Sequence, residues 1–502
     1  MKSVLFHNLE KCREQLSAGE GGVRHESIFS RGAKSVAAHN TPSLIYEASV
    51  PGNPSMENRV VLKVMWRLVP FMMVLYVFNY LDRINISVAQ SQLDTDLGIN
   101  TEIYGWGTAM FFPAYCFFEV PSNIYLQKFG ARVWIARIMI SWGIVSAAFV
   151  FLQGPRSFYL LRFLLGVAEA GFFPGMLLYL TYWIPAKNRA NVGAIFMTSI
   201  ALSGVIGNPL SGYILDNFKN VGGLTGWQWL FLLESIPTIL LGISVYYFFT
   251  DKPEDAGWLA PEEREWLATH LHKEREATKG GHGTHTLADA FGSGRVWLLS
   301  FIYLSLMMGF YTINYWTPKI VKNMLTSEAI ATAKAAGTEA MLVTDKRVGQ
   351  LSAIPFISAV IGMVIIGRIA DRSGNRKATL ICTALIGCAG LIGASQTTTS
   401  TDTIIAISIA AVGIFGSLAP FWTLPSNFLT GTAAAAGIAL INSLGNLGGG
   451  FAGNALIGHL MKTYNTHKYG MMVDAGVLFA GVILILFVKL NPKKNEAVLA
   501  HD

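Results

Sequence analysis

The stretch NYLDRINIS (79–87) sets Asp82 and Arg83 side by side in a run that is otherwise almost wholly apolar, LVPFMMVLYVFNYLDRINISVA. A charge at the centre of a hydrocarbon layer costs ~2.5–3.5 kcal/mol even on lenient insertion scales, so two of them imply a task. Adjacent helical residues point ~100° apart, so the pair cannot both avoid the protein interior. A second stretch, YLLRFLLGVAEAGFFPG (159–175), carries Arg162 and Glu169. Seven residues make two helical turns, which puts both on one face about 10 Å apart along the axis. Arginines at one depth form an anion site, because a guanidinium stays charged and meets a carboxylate in a two-pronged fork. Asp82 and Glu169 can neutralise Arg83 and Arg162 when no anion is bound. They are also the groups whose ionisation can change, since burial raises a carboxylate pKa and a nearby arginine lowers it. Either can therefore carry a proton, and the choice between them stays open. Purely structural salt bridges are the alternative.

Neighbouring segments could complete such a site. FFPAYCFFEVPSN (111–123) places Tyr115 and Glu119 on one helical face. The Tyr115 hydroxyl can donate to a carboxylate. Glu119 lies nearer the inner end, where a gate contact, a helix cap and direct coupling are all open. GFYTINYWTPK (309–319) offers Tyr311, Asn314, Tyr315 and Trp316, and NSLGNLGGGFAGN (442–454) offers Asn442 and Asn446 on one face. Hydrogen bonding and stacking onto an anion is one use for them. Interfacial anchoring of aromatics and close packing at glycines is the other. Arg137 and Glu234 read as bundle salt bridges or snorkelling residues.

The elements that position these groups follow from composition. The 502 residues are 52% hydrophobic and only 14% charged, with a mean hydropathy of +0.43. Soluble domains carry about 25% charged residues, so most of this surface faces something other than water. The net charge of +7 is scattered between apolar runs, which argues for the positive-inside rule rather than a nucleic-acid surface. Spans of ~20 apolar residues fall near 67–89, 103–126, 133–153, 157–183, 190–215 and 228–249. A second set falls near 297–320, 348–369, 378–397, 403–424, 433–459 and 470–490. The fold class is thus all-α, integral to the membrane, with twelve helices in two six-helix bundles. The expected division is a polar tail over 1–58, bundles over 59–249 and 296–490, a cytoplasmic linker over 250–295 and a tail over 491–502. The first tail is disordered or precedes a true start at Met56.

Basic residues number roughly 20 on one side against roughly 9 on the other, most of the latter in the loop 321–347, so both termini face the cytoplasm. On this topology the first helix runs outward and the fourth inward, which brings Arg83 and Arg162 to similar depth. The halves also echo one another. IIGRIADRSGNRKAT (365–379) follows the second helix of the second half, and IYLQKFGARVWI (124–135) stands at the matching place in the first. Gly130 and Arg132 answer Gly374 and Arg376, and Pro174 matches Pro420. Gly367, Asp371 and Arg372 complete a loop whose glycine permits a tight turn. Its Asp371 can bond arginines or cap a neighbouring helix, a contact suited to holding one conformation of a rocking bundle. An ordinary basic loop is the alternative. Parallel six-helix repeats are the pattern of a secondary transporter.

Several signatures carry no weight. GGGFAG (448–453) matches a nucleotide-loop spacing but lies within a spanning helix. NIS (85–87) is a glycosylation sequon at membrane depth. GGHGTH (280–285) reads as a flexible loop before it reads as a metal site. Cys12, Cys116, Cys382 and Cys388 show no ligand spacing and read as ordinary buried thiols. There is no phosphate-binding Walker loop, nucleophile elbow or metalloprotease motif, so the chain reads as neither an ATP-driven pump nor an enzyme, and no cofactor or metal is expected.

Together YLDRINISVA, FFEVPSNIYLQKFGARVWI, LLRFLLGVAEAGFFPGMLLYLTYWIPAKNRA and GNPLSG resemble the anion:cation symporter family of the major facilitator superfamily, over about residues 59–490. The resemblance implies substrate binding and proton coupling by Asp82, Arg83, Arg162, Glu169 and Tyr115. It further implies import of an organic anion with protons across the inner (plasma) membrane, the lipid bilayer being the only large partner and the monomer the working unit. Gln127 stands where the superfamily's first loop usually has an acid. Proton-independent exchange and a non-transporting sensor of organic anions are the other functional readings.

Overall fold

Apolar runs broken by Gly and Pro build fifteen helical segments among the described residues, which are 54–279, 292–425 and 431–488 of a computed structural model. All of these belong to one compact unit, Asn53–Asp502. Cys12, GGHGTH and most of both tails lie outside the described residues. The helices are α1 Pro54–Leu97, α2 Thr101–Phe129, α3 Ala131–Ala148, α4 Pro155–Glu169, α5 Phe172–Trp183, α6 Ala186–Asn217 and α7 Gly226–Phe248. Then come α8 Pro261–Lys279, α9 Gly294–Ala336, α10 Asp345–Ser373, α11 Arg376–Gln396 and α12 Ser400–Trp422. A last rod runs through α13 Gly431–Gly445, a π-helical segment Asn446–Gly453 and α14 Asn454–Tyr464, and α15 is Lys468–Leu486. The described residues contain no strand, only the isolated bridge Val221–Leu224.

Ten helical stretches among the described residues, α4 and α5 together counting as one, are long and apolar enough to cross a membrane, where twelve spans were expected. The other two positions are filled by α2, whose many aromatic and polar residues dilute its hydropathy, and by the α13–α14 rod, which the π segment divides into short pieces. Two further boundaries differ. The expected loop 321–347 begins as sixteen more residues of α9, because VKNMLTSEAIATAKAA is rich in helix formers and ends only at Gly337, in the left-handed region at φ 66°. The expected fourth helix, 157–183, is broken into α4 and α5. Pro174 excludes the carbonyl of Ala170 from a regular turn, and Gly171 turns the chain at φ 88°. A Cβ at Gly171 would meet Ser122 Oγ at 2.3 Å.

Within the first half α1 packs on α6, α2 on α4 and α3 on α7. Within the second α10 packs on α12, and α11 lies against α12 and α15. The halves meet along α6 and α10, α2 and α14, and α1 and α9. Small residues let the backbones touch: a Cβ at Gly349 would lie 2.2 Å from the Asn208 carbonyl oxygen, and one at Gly105 2.8 Å from that of Asn454. α8 docks at the opposite end. Glu263 accepts from Lys63 Nζ at 2.7 Å, and Trp258, just before α8, stacks on Trp183 with centroids 5.4 Å apart.

Candidate functional site

The break after α4 leaves Glu169 as the helix's last residue, fully buried and facing α1. There Glu169 Oε1 accepts from Arg83 Nε and forms an ion pair with its Nη2. Asn79 Nδ2, one turn earlier on α1, donates to the same oxygen at 2.6 Å. Oε2 has no partner among the described residues. The Arg83 guanidinium is wrapped by three rings, 5.0 Å from the centroid of Tyr80, 4.8 Å from Phe111 and 5.1 Å from Tyr115. Aromatic faces stabilise a cation without competing for its hydrogen bonds, which leaves the guanidinium edge free for a carboxylate.

Arg83 lies on the wall of a central cavity between the halves, with Tyr115, Tyr311, Asn442 and Asn446 also on the wall. The cavity is about 50 Å³, room for a few waters rather than an organic acid. Tyr311 donates to Asn446 Oδ1 at 2.7 Å, and Asn442 Nδ2 donates to Glu119 Oε1 at 3.1 Å. Asn442 and Glu119 belong to opposite halves, so this bond crosses between them. Tyr311 and Tyr315 stack at 6.0 Å. The π segment holds Asn446 at its first residue, and Gly449 and Gly450 let it press on Met307 and Phe112.

Other candidate residues stand apart. Arg162 shares the Phe111 ring with Arg83, its guanidinium 5.3 Å from the centroid. It is nevertheless behind the cavity wall, bonded only to the Gly107 carbonyl at 3.4 Å and with Nη2 unpartnered among the described residues. Asn314 donates to Phe310 O of its own helix and does not reach the cavity. Asp82 points away from both arginines. Its carboxylate accepts from Trp142 Nε1 at 2.8 Å, Thr238 Oγ1 at 3.0 Å and Ser146 Oγ at 3.2 Å, all on α3 and α7. The expectation that it neutralises an arginine in the anion-free state has no counterpart in this geometry. Glu234, expected to form a bundle salt bridge or to snorkel, is instead fully buried beside this group and accepts from Ser211 Oγ at 2.8 Å. Sequence spacing could not reveal that cluster, which draws on α1, α3, α6 and α7.

The loop residues divide by half. Gly130 adopts φ 86° at the start of α3, and Arg132 N donates to Asp251 Oδ1 at 2.9 Å. Asp251, which sequence reading passed over, thus caps α3, and Arg132 Nε donates to Tyr246 O. In the second half Gly374 ends α10 at φ 64° and Gly367 has open space around it. Asp371, Arg372 and Arg376 are exposed and bond to no described residue. The thiols differ from expectation in one place: Cys388 is buried and Cys116 half-buried, but Cys382 is exposed on α11, where an apolar helix face meets lipid.

At the end remote from α8 the halves are closed. Tyr104 OH donates to Tyr315 O at 2.8 Å, Gln92 Nε2 to Asp345 Oδ2 at 2.8 Å, and Lys319 Nζ to Gln90 Oε1 at 2.7 Å. Asp216 of α6 accepts the backbone N–H of Lys346 at 2.7 Å and of Asp345 at 3.2 Å, so one half caps the first turn of a helix in the other.

Two apolar six-helix groups around a central aromatic cavity that carries one arginine point to a solute transporter, and comparison with known proteins agrees. The model of the Major Facilitator Superfamily matches residues 72–452 and 323–501. The chain belongs to that superfamily; it is a multi-pass membrane transporter and not an enzyme. It is 44% identical over 450 residues to a putative tartrate transporter of Agrobacterium vitis, covering 89% of this chain and 95% of the relative. It is 39% identical over 427 residues to the putative metabolite transport protein NicT of Pseudomonas putida, covering 84% and 93%. Among solved structures, the partially occluded inward-open form of the xylose transporter XylE from E. coli shares the fold at TM-score 0.67 and 14% identity, covering 86% of this chain and 99% of that one.

Proposed function

We propose that this protein imports an organic carboxylate together with protons, across the inner membrane, by alternating access of its two halves around the Arg83 cavity, with both termini in the cytoplasm and the monomer as the working unit. The observation that carries the reading is the Arg83–Glu169 pair on the cavity wall. The guanidinium there already holds a carboxylate, in a setting of rings and amides that a substrate carboxylate could share. Relatives named as putative tartrate transporters, at 44% and 42% identity, support the substrate class.

Coupling follows from competition. An incoming carboxylate and Glu169 seek the same guanidinium edge. A buried carboxylate that loses its cation is costly, and a proton removes that cost. Anion binding to Arg83 therefore brings a proton to Glu169, and the neutral, filled cavity lets the halves rock. Asp82, held by three donors from α3 and α7, keeps α1 in register with its own half. With both termini in the cytoplasm, the end closed by Asp216 and Asp345 is the outer one, and this conformation is shut to the outside.

The test is uptake into proteoliposomes. Thermal-shift screening of the purified protein against a panel of organic acids, L-tartrate included, selects the probe. An inward proton gradient should then drive its accumulation in wild type but not in Arg83→Ala. Normal uptake by Arg83→Ala would overturn the assignment, and accumulation indifferent to the gradient would replace symport by exchange.

A further inference from the structure

A second cavity, of about 520 Å³, opens at the closed end, and none of the groups placed above at the central site lines it. It has the size of small-molecule pockets in general. One wall is the α1 face that continues from Arg83: Ser87, Gln90 and Asp94 follow at steps of four, three and four, so they lie in line above the arginine. The opposite wall is α9, with Lys319 and Lys322 one turn apart. Lys322 is engaged, since its Nζ lies 2.6 Å from Asp345 Oδ1. Lys319 is not paired in this way. It is half-buried, forms no salt bridge with a described residue, and donates at 2.7 Å only to the neutral amide oxygen of Gln90 on α1.

We infer that Lys319 is the first station of the anion on the outer face, a vestibular carboxylate site above the Arg83 cavity. A half-buried ammonium that no carboxylate among the described residues contacts favours an anion, Asp94 of the same cavity acting on it only through space, and the serine hydroxyls and amides around it can bond the remaining oxygens of a hydroxylated or dicarboxylic acid. The Lys319–Gln90 bond crosses the seam between the halves. A carboxylate taking the ammonium from Gln90 loosens that seam and leaves the anion about 10 Å from Arg83, seven residues along α1. The inference rests on the proposed carboxylate transport.

Lys319→Gln keeps a hydrogen-bond partner for Gln90 while removing the charge, and Lys319→Arg restores the charge. Initial uptake of the acid selected above is measured in right-side-out and in inverted membrane vesicles. For Lys319→Gln the KM should rise about tenfold from the outer face, the loss of one charge-assisted contact, and stay at the wild-type value from the inner face. Lys319→Arg should return it. An unchanged outer KM, or equal rises from both faces, would overturn the vestibular site while wild-type uptake still upheld the transport reading. Wild-type vesicles that carry no organic acid would instead remove the transport reading, and this site with it.

Discussion

Arg83 and Glu169 meet across α1 and α4, and one oxygen of Glu169 takes every bond while the other has no partner among the described residues. The pair is lopsided because the chain breaks at Ala170 and Gly171, which aims the carboxylate at α1 by one edge. Glu169 thus occupies the Nε–Nη2 edge of the arginine, the edge for which a second carboxylate would have to compete.

Replacing Arg83 by Lys keeps the charge but loses the fork and the flat face over the rings of Tyr80, Phe111 and Tyr115. Transport efficiency should fall about 10- to 100-fold, through loss of one or two charge-assisted bonds. Substrate counterflow under saturating acid measures it.

The two carboxylates should separate by phenotype. Glu169→Gln should keep counterflow yet lose acceleration by a proton gradient. Asp82→Asn disturbs three buried donors, since its amide nitrogen cannot accept from the Trp142, Thr238 or Ser146 group it faces. It should lower stability by about 1–3 kcal/mol, visible as a lower melting temperature in detergent. Equal melting temperatures and equal uncoupling for both would contradict the division of roles.

The closed end depends on contacts between backbones. Gly349→Val would place a side chain within the approach to Asn208, and Asp216→Asn would weaken the cap on α10. Both should favour conformations open at that end. Distances between spin labels on α6 and α10 should lengthen in each variant, and unchanged distances would show that the end is held elsewhere.

α8 is fastened to α1 by Glu263, whose carboxyl is held below the usual glutamate range first by the Lys63 hydrogen bond and then by the Ala260 N–H. A depressed carboxylate stabilises the folded form fully above its unfolded pKa of about 4.3, and that contribution is lost as pH falls through the lower native value. Lys63 is half-exposed, so the effect is about 0–1 kcal/mol. Protection of α8 amides from hydrogen exchange should fall as pH drops below the unfolded glutamate value of about 4.3 in wild type and be pH-independent at a lower level in Glu263→Gln.

Much of this was legible in the chain because membrane depth punishes charge. Arg83 and Arg162 could be placed at similar depth from helical rise and topology, with Glu169 two turns further along α4, and both guanidiniums do lie near the Phe111 ring. What spacing could not supply was direction across helices. Asp82 sits next to Arg83 in sequence yet turns to Trp142 and Thr238, which lie 60 and 156 residues away. Glu234 read as a bundle salt bridge or snorkelling residue and Asp251 carried no signal, and only packing shows that they bond Ser211 of α6 and the first turn of α3. The charges of 321–336 suggested a loop, where local helix propensity extended α9 instead. The break at Gly171 was written in the glycine and in Pro174, but an apolar run on both sides concealed it.

Competition between the substrate carboxylate and Glu169 for Arg83 is tested most directly by calorimetry. Binding of the selected acid is titrated in buffers of differing ionisation enthalpy, which counts protons taken up per anion bound. Wild type should take up about one proton near neutral pH and Glu169→Gln about none. No proton uptake by wild type, or the same uptake in Glu169→Gln, would contradict the competition.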